Sequence, residues 1–396
     1  MFAERTNWNL AKNRLSAALS AQRASGKSVL DLTISNPTEC GFIYHEQQIL
    51  HALANPAAMH YAPDPRGMGS ARAAVAQYYA GLGARIEPGA VFLTTGTSEA
   101  YSFIFRLLCN PSDEIMIPTP SYPLFDFLAD LNDVRLIRYP LLYDHGWQID
   151  FHALENAVTD RTRAIIIVHP NNPTGHFTKP AETKRLNEIC TTHGLALIVD
   201  EVFLDFDLAG ETQKSFAANG DALTFTMSGF SKICGLPQMK AAWLIATGPQ
   251  ERKAQAIGRL DVIADTYLSM NAPIQLAVPV FLEQRHAFKK QVMDRIRQNL
   301  AELDRQLAQQ HACSRLKVEG GWYVVVRLPA TCDDEEFAVD LLQTKQVYLH
   351  PGSFYGLPKG YVVLSLITPA EVLAAGATLL LTSANAQIQF RERRLR

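Results

Sequence analysis

The stretch AIIIVHPNNPTG, residues 164–175, is the part of the sequence that decides the fold. Its first five residues form a nearly continuous β-branched run, which is typical of a strand buried on both faces of a parallel sheet. The run breaks at His169-Pro170, and two prolines and a glycine make the segment that follows a rigid turn. Rigidity matters where a side-chain amide must hold a fixed contact. The stretch therefore predicts a buried strand followed by a turn that presents an asparagine.

Apolar runs of the same kind occur on both sides of this stretch, with helical patterns between them. They lie at residues 91–94, 114–117, 195–199, 223–226 and 242–246. Strands that alternate with helices in this way predict an α/β fold with a mostly parallel sheet covered on both faces. Open sheets of this type bind ligands at the carboxyl ends of their strands. Four loops at those ends carry conspicuous polar side chains, and these loops contain residues 95–99, 171–175, 200 and 228–232.

The length of 396 residues predicts two packed domains rather than one core. We predict a large domain at residues 41–280, a smaller α+β domain at residues 281–396, and an N-terminal arm at residues 1–40 that packs with the small domain. The predicted elements of the small domain are a long helix at 281–308 and strands near 322–328 and 361–366.

The N-terminal arm has a basic segment, rich in alanine and serine, between Lys12 and Lys27. This composition occurs in organellar transit peptides. It also fits an amphipathic helix, which is the interpretation that we favour. The predicted apolar face of that helix consists of Leu10, Leu15, Ala18 and Leu19.

Composition argues against several classes of partner. The net charge of -2 offers no field that would attract nucleic acid, and no apolar run approaches the roughly 18 residues of a membrane span. The six cysteines have neither a C-x-x-C pair nor a zinc-like spacing, so we expect reduced thiols, a cytoplasmic protein and no metal.

Three of the polar loops contain residues that could bind a ligand or take part in a reaction. Thr97 and Ser98 begin a predicted helix, where they either support an anion site or simply cap the helix. Asp200 follows a buried strand, so its carboxylate must be paired, protonated or functional. Lys232 lies among glycine, serine and apolar residues, where a lowered pKa would make it an amine nucleophile. A single loop lysine usually faces solvent, so the argument depends on the combination.

In this order and spacing, the motifs resemble those of the class I/II aminotransferase family, which are fold-type I enzymes dependent on pyridoxal phosphate (PLP). The resemblance extends over residues 30–366. It rests on Tyr61 with Gly67, residues 95–100, 120–123 and 171–175, Asp200-Glu201, Ser231-Lys232 with residues 235–237, Asn271-Ala272-Pro273 with Gln275, and residues 350–352.

The resemblance implies specific roles at these positions. Lys232 would hold the cofactor as an imine and transfer the substrate proton, and Asp200 would keep the pyridine nitrogen protonated. Asn172 would donate to the phenolic oxygen and Tyr122 would stack on the ring. The phosphate would be held by Gly96, Thr97, Ser98 and Ser231, with Ser228 as a further possible donor. Tyr61 resembles a tyrosine that reaches the phosphate of the neighbouring subunit, which implies a homodimer with shared active sites.

Three positions depart from the family pattern. Phe203 replaces a tyrosine that donates to the phenolic oxygen, and Lys240 replaces an arginine that binds the phosphate, so the charge remains without the bidentate geometry. Val363 replaces the arginine that binds the substrate α-carboxylate. We therefore expect a relocated anchor, and Lys240, His350 and Arg66 are the cationic candidates, while Asn172 is retained.

The resemblance predicts an aminotransferase that moves an amino group from an amino acid to a 2-oxo acid. Another PLP reaction on the same scaffold, such as β-elimination, decarboxylation or racemisation, is the alternative. A third possibility is a PLP-binding regulatory domain without catalysis. We disfavour it because Lys232, Asp200 and Asn172 are all present and no DNA-binding segment is attached.

Overall fold

The computed structural model describes residues 1–210, 213–330 and 332–395, and it describes side chains as far as residue 387. The strands are β1 (Leu30–Asp31), β2 (Val91–Thr94), β3 (Glu114–Thr119), β4 (Arg135–Tyr143), β5 (Trp147–Ile149), β6 (Thr162–Val168), β7 (Ala196–Asp200), β8 (Thr224–Gly229), β9 (Ala242–Thr247), β10 (Ser314–Arg315), β11 (Tyr323–Arg327), β12 (Val347–Tyr348), β13 (His350–Pro351) and β14 (Tyr361–Ser365). The helices are α1 (Arg14–Ala24), α2 (Glu46–Leu53), α3 (Gly69–Gly81), α4 (Thr97–Leu108), α5 (Leu124–Leu131), α6 (Phe151–Asn156), α7 (Pro180–His193), α8 (Phe230–Ile233), α9 (Gln250–Tyr267), α10 (Ala272–Leu307), α11 (Asp334–Lys345) and α12 (Ala370–Leu395).

The largest sheet has eight strands in the order β2-β9-β8-β7-β6-β3-β4-β5. Its central pairs are parallel, whereas β9 runs antiparallel to both of its neighbours and β5 runs antiparallel to β4. The predicted α/β fold with a mostly parallel sheet is therefore confirmed. Strands β4 and β5 were not predicted, because β4 lies near the sheet edge and contains exposed residues and Pro140 instead of a continuous apolar run.

Both faces of this sheet are buried, as the continuous apolar runs predicted. Successive side chains of a strand point to opposite faces. Ile166 of β6 accordingly packs in one hydrophobic cluster with Ile198 of β7. Ile165 packs in a second cluster on the other face together with Leu197 and Val199.

A second, smaller α+β part follows in the chain. Its sheet has the order β10-β11-β14-β13, with every neighbouring pair antiparallel, and β1 pairs with β12 in a separate parallel ribbon. Leu15 and Leu32 of the N-terminal segment are buried in the same hydrophobic cluster as Val324, Phe337 and Leu364. The N-terminal segment thus shares a core with the smaller part.

Two predicted helices differ from the observed ones. Helix α10 begins nine residues earlier than the predicted start at 281, because Asn271 caps it by accepting a hydrogen bond from the Ile274 backbone N–H. Helix α1 begins at Arg14, so Leu10 lies outside it and is 86% exposed, contrary to the prediction. Leu15 and Ala18 of that face are buried as expected. Among the described residues, no helix is both long and apolar enough to cross a membrane.

Candidate active site

Polar loops from four strands of the large sheet meet around one cavity of about 350 Å³. Parallel strands end at the same edge of a sheet, and the register places Asp200 of β7 beside Val168 of β6. Asn172 follows β6, Lys232 follows β8, and Thr97 begins α4 after β2. The cavity is lined by eight of the predicted site residues, which are Thr97, Ser98, Tyr122, Asn172, Asp200, Phe203, Ser231 and Lys232.

Asp200 lines this cavity and is 8% exposed. The backbone N–H of Val202 donates to its Oδ1 atom at 3.1 Å, and the Tyr101 hydroxyl donates to its Oδ2 atom at 3.2 Å. Burial raises the pKa of Asp200 to about 6, against the opposing effects of these two hydrogen bonds and the charge of Lys232. The carboxyl group is therefore poised to share a proton with a basic partner near neutral pH.

Lys232 projects from the short helix α8 between two aromatic rings. Its Nζ atom lies 5.0 Å from the centroid of the Trp322 ring and 5.7 Å from that of Phe203. Burial lowers the pKa of Lys232 to about 8, although the negative charge of Asp200 acts in the opposite direction. A substantial fraction of neutral amine, the nucleophilic form, is therefore present near neutral pH.

The N-terminus of α4 forms another wall of the cavity. Its N-cap residue is Gly96, and no side chain caps the helix, so the alternative role of Thr97 or Ser98 as a cap is not realised. A helix N-terminus without a side-chain cap offers N–H donors and a positive dipole end to an anion. The Nζ atom of Lys240 adds a charge there, since it lies 3.8 Å from the place that a Cβ on Gly96 would occupy.

The turn after β6 is held by its own side chains. Thr174 donates from Oγ1 to Asn171 Oδ1 at 2.8 Å, and Asn171 donates from Nδ2 to the Pro120 carbonyl oxygen at 3.4 Å. Gly175 has φ +70°, and a Cβ there would come within 2.6 Å of the Gly320 carbonyl oxygen, so only glycine fits. Asn172 is thereby presented to the cavity, and its buried Oδ1 atom has no hydrogen-bond partner among the described residues.

Three residues named from the sequence lie elsewhere. Tyr61 is 74% exposed and does not line the cavity. Ser228 is fully buried and donates from Oγ to the Glu201 carbonyl oxygen at 3.3 Å, so its hydroxyl is not directed at an anion. Glu201 itself, which could have been solvated, is 0% exposed and accepts hydrogen bonds from Ser215 Oγ and the Phe216 N–H at 2.8 and 2.7 Å.

Sequence reasoning missed several residues that line the cavity, among them Ser35, Tyr101 and Tyr323. A signal existed for Tyr101, because it stands four residues after Thr97 and therefore lies on the same face of α4. Ser35 and Tyr323 are far apart in the chain and far from the other motifs, so only the fold brings them to the cavity.

The position of Val363 is apolar in the folded chain as well. Val363 is 1% exposed and packs beside Val325, with His350 opposite it on β13. His350 lies 3.0 Å from the Tyr355 hydroxyl through Nδ1, and burial lowers the pKa of its imidazole, which favours the neutral form. Arg66 forms an ion pair with Asp261 outside the cavity. Neither residue presents a free cation to the cavity.

The family model for aminotransferase class I and II matches residues 7–377, which is nearly the whole chain. This chain belongs to the class I and II aminotransferases. It is 28% identical over 338 residues to the glutamate-pyruvate aminotransferase AlaA of Haemophilus influenzae, with 83% of each chain covered. It is 29% identical over 348 residues to the alanine aminotransferase of Mycobacterium tuberculosis, with 85% of this chain and 80% of that one covered.

Solved structures show the same fold. The alanine aminotransferase from Pyrococcus furiosus superimposes with a TM-score of 0.89 at 24% identity and covers 98% of this chain and 100% of its own. The enzyme is thus a PLP-dependent aminotransferase of fold-type I, as the resemblance predicted.

The residues that line the cavity fit pyridoxal phosphate. The buried side-chain amide of Asn172 has an atom without a hydrogen-bond partner among the described residues, which indicates a polar ligand at that wall. The uncapped N-terminus of α4 suits a phosphate, the amine of Lys232 suits an aldehyde, and the carboxyl of Asp200 suits a basic ring nitrogen.

Proposed function

We propose that transamination in this enzyme depends on Lys232 and Asp200, which line the same cavity. The observation that supports this proposal best is that both side chains line one cavity, where burial raises the pKa of Asp200 and lowers that of Lys232. When bound, pyridoxal phosphate supplies an aldehyde and an electron-accepting ring. Lys232 takes the proton from the substrate Cα at its Nζ atom and returns it, and Asp200 holds the proton of the ring nitrogen.

The remaining cavity residues bind and orient the cofactor in this proposal. Gly96, Thr97, Ser98 and Ser231 hold the phosphate, and Lys240 adds a point charge without the fork geometry of an arginine. The aromatic side chain of Tyr122 stacks on the ring, and Asn172 binds the phenolic oxygen. Phe203 cannot donate a hydrogen bond, so Asn172 is the donor to that oxygen.

We infer that uncharged donors hold the substrate α-carboxylate. No arginine is among the described residues that line the cavity, and Val363 is packed in apolar surroundings. Ser35 and Tyr323 both line the cavity, so they offer a pair of hydroxyl groups at its wall. Hydrogen bonds from neutral donors to a carboxylate are weaker than those of arginine. We therefore expect weak substrate binding.

We propose alanine as the amino donor and pyruvate as its product, since the relatives are named for alanine, glutamate and pyruvate. Alanine is expected to convert the cofactor of the loaded enzyme to its amine form in a stopped-flow absorbance experiment, and pyruvate is expected to restore the starting spectrum. Because Tyr323→Phe removes one donor to the carboxylate, we expect its half-saturating alanine concentration to rise about tenfold, with the maximal rate nearly unchanged.

Tyr361→Phe is the matched control, since Tyr361 is a half-buried tyrosine of β14 that does not line the cavity. It should behave as the wild type. A raised half-saturating alanine concentration in Tyr361→Phe, or an unchanged one in Tyr323→Phe, would count against the hydroxyl pair. If neither alanine nor glutamate reacts while the cofactor is bound, the proposed donor is wrong.

We also propose a homodimer in which Tyr61 reaches the phosphate of the neighbouring subunit. Several large apolar side chains are exposed besides Tyr61, which is unfavourable unless another surface covers them. They are Ile43, Leu50, Met59, Val262 and Leu268, each 61% to 92% exposed. A second copy that covers these side chains would bury them and bring Tyr61 to its active site.

The dimer predicts a defined complementation result. Tyr61→Phe is expected to raise the dissociation constant of pyridoxal phosphate about tenfold, since a hydrogen bond to a charged group is lost. A mixed dimer of one Tyr61→Phe subunit and one Lys232→Ala subunit should contain one site with both defects and one site with neither. Sedimentation velocity tests for the dimer, and the activity recovered after the two variant proteins are mixed tests for the shared site. A monomer, or no recovered activity in confirmed mixed dimers, would refute the shared site.

We further propose a cytoplasmic location, because the six cysteines have neither a C-x-x-C pair nor a zinc-like spacing, which suits reduced thiols in a reducing compartment. The predicted domains at 41–280 and 281–396, with an arm at 1–40, remain our proposal for the organisation of the chain. The boundary at 280 would then lie within α10, which contacts the cores of both parts through Phe281 and Ile296.

A further inference from the structure

Tyr101 holds the carboxyl group of Asp200 from the side of helix α4. Its hydroxyl donates to Asp200 Oδ2 at 3.2 Å, and both side chains are buried, Tyr101 being 2% exposed. The other carboxylate oxygen, Oδ1, accepts from the backbone N–H of Val202 at 3.1 Å. Each oxygen of Asp200 therefore has one donor, and Tyr101 is the side-chain donor among the described residues.

The surroundings of Tyr101 keep it in this position. Its ring packs edge-to-face on Phe125 with centroids 5.2 Å apart and lies 5.9 Å from Phe105. Burial and the neighbouring charge of Asp200 raise the pKa of Tyr101 well above the usual value, so the hydroxyl keeps its proton and acts as a donor. The Tyr101 ring thus packs among apolar rings, while its hydroxyl is directed at one oxygen of the Asp200 carboxylate.

We propose that Tyr101 is a positioning residue that orients Asp200 and weakens its basicity, so that the shared proton remains on the cofactor ring nitrogen. Burial in an apolar environment favours the protonated carboxylic acid, which would take the proton from the ring. A hydrogen bond donated to the carboxylate favours the ionised form and offsets that tendency. The inference rests on the proposed function, in which Asp200 serves the ring nitrogen.

Other charged or titratable groups near Asp200 do not replace this bond. Lys232 is on α8 and acts on Asp200 through its charge, and Glu201 points into a separate pocket formed by Ser215 and Phe216. Tyr79 is affected by the charge of Asp200, but its hydroxyl accepts from Trp243 Nε1 at 3.1 Å. Tyr101 alone among these groups donates directly to the carboxylate.

The test is Tyr101→Phe in the enzyme loaded with pyridoxal phosphate that carries ¹⁵N in the ring. The ¹⁵N chemical shift reports whether the ring nitrogen carries a proton. In Tyr101→Phe we expect the shift to move towards that of an unprotonated ring. We also expect kcat to fall about tenfold, with little change in KM for the amino donor.

The matched control is Tyr139→Phe. Tyr139 is also a fully buried tyrosine, 1% exposed, but its hydroxyl donates to the Ile166 carbonyl oxygen at 2.7 Å. The substitution Tyr139→Phe removes a buried hydroxyl that does not bond to a carboxylate, so the ¹⁵N shift should stay at the wild-type value. Incorporation of 3-fluorotyrosine at position 101 gives a second variant, whose stronger donor should move the shift opposite to Tyr101→Phe even if Tyr101→Phe folds poorly.

The outcomes separate this inference from the proposed function. If Asp200→Asn moves the ¹⁵N shift and neither Tyr101 variant does, the role of Tyr101 is wrong and the role of Asp200 stands. If Asp200→Asn also leaves the shift unchanged, the proposed role of Asp200 fails. If both variants of Tyr101 move the shift in the expected directions, the positioning role is established.

Discussion

Replacement of Lys232 by alanine is expected to abolish the covalent attachment of pyridoxal phosphate and to lower kcat/KM by about 10⁴-fold. Lys232 provides both the amine that binds the aldehyde and the base that moves the substrate proton, so one substitution removes two functions. Borohydride reduction followed by mass spectrometry of the peptides should find the label on Lys232 in the wild type and on no peptide in the variant. Steady-state assays then measure the loss of activity.

Lys290→Ala is the matched control for this prediction. Lys290 is 78% exposed and pairs with Asp294 on the surface of α10, so its loss should leave both the label and the rate unchanged. A reducible label that persists in Lys232→Ala would show that another amine carries the cofactor. The lowered pKa of Lys232 adds a pH test, because only the neutral amine attacks an aldehyde. Covalent loading of the apo-protein should accelerate as the pH rises to about 8 and level off above it.

Much of this site could be predicted because this type of fold places the carboxyl ends of its strands at one edge of the sheet. The apolar runs at 164–168 and 195–199 indicated buried neighbouring strands, and parallel strands end at one edge of a sheet. Asp200, Asn172 and Lys232 therefore line one cavity although 60 positions separate the first and last of them. The motifs indicated which chemical roles these residues could have, and the strand pattern indicated that they would lie close together.

Other features depended on packing that no local pattern contains. Glu201 has the polar composition of a solvated residue, but the fold buries it against Ser215 and Phe216, which donate to it. Leu10 has the apolarity of a core residue, but it precedes the start of α1 and is exposed. The bond from Tyr101 to Asp200 joins residues 99 positions apart, so neither residue alone predicts it.

Replacement of Asp200 by asparagine is expected to lower kcat by about 10³-fold while the protein still folds and binds pyridoxal phosphate. An amide cannot balance the charge of a protonated ring nitrogen, so the ring accepts electrons poorly and removal of the Cα proton slows. Single-turnover measurements with Cα-deuterated alanine should show a full isotope effect, because proton removal then limits the rate. Asp205→Asn is the control, since Asp205 is also buried and accepts from a tyrosine, Tyr78, at 2.9 Å.

The two substitutions should have opposite effects on stability, and only Asp200→Asn should lower kcat. Asp205 lies 3.6 Å from Arg285, so Asp205→Asn leaves a buried cation without its partner and should lower the melting temperature while the folded fraction keeps its kcat. Asp200→Asn should lower kcat and stabilise the apo-protein. Burial raises the pKa of Asp200 from 3.8 to about 6, so ionisation is costlier in the folded state than in the unfolded state.

The sign of the pH dependence follows from that shift. Below about pH 4 the carboxyl is protonated in both states and costs nothing, and above about pH 6 it is ionised in both, so the folded wild type loses up to about 3 kcal/mol across this interval. Asparagine carries no charge and lacks this loss, so the stability difference between variant and wild type should grow from pH 4 to pH 7. Urea unfolding of both apo-proteins at several pH values measures it. A constant difference would mean that Asp200 is not desolvated in the folded apo-protein, and full activity in the variant would mean that the ring nitrogen has another partner.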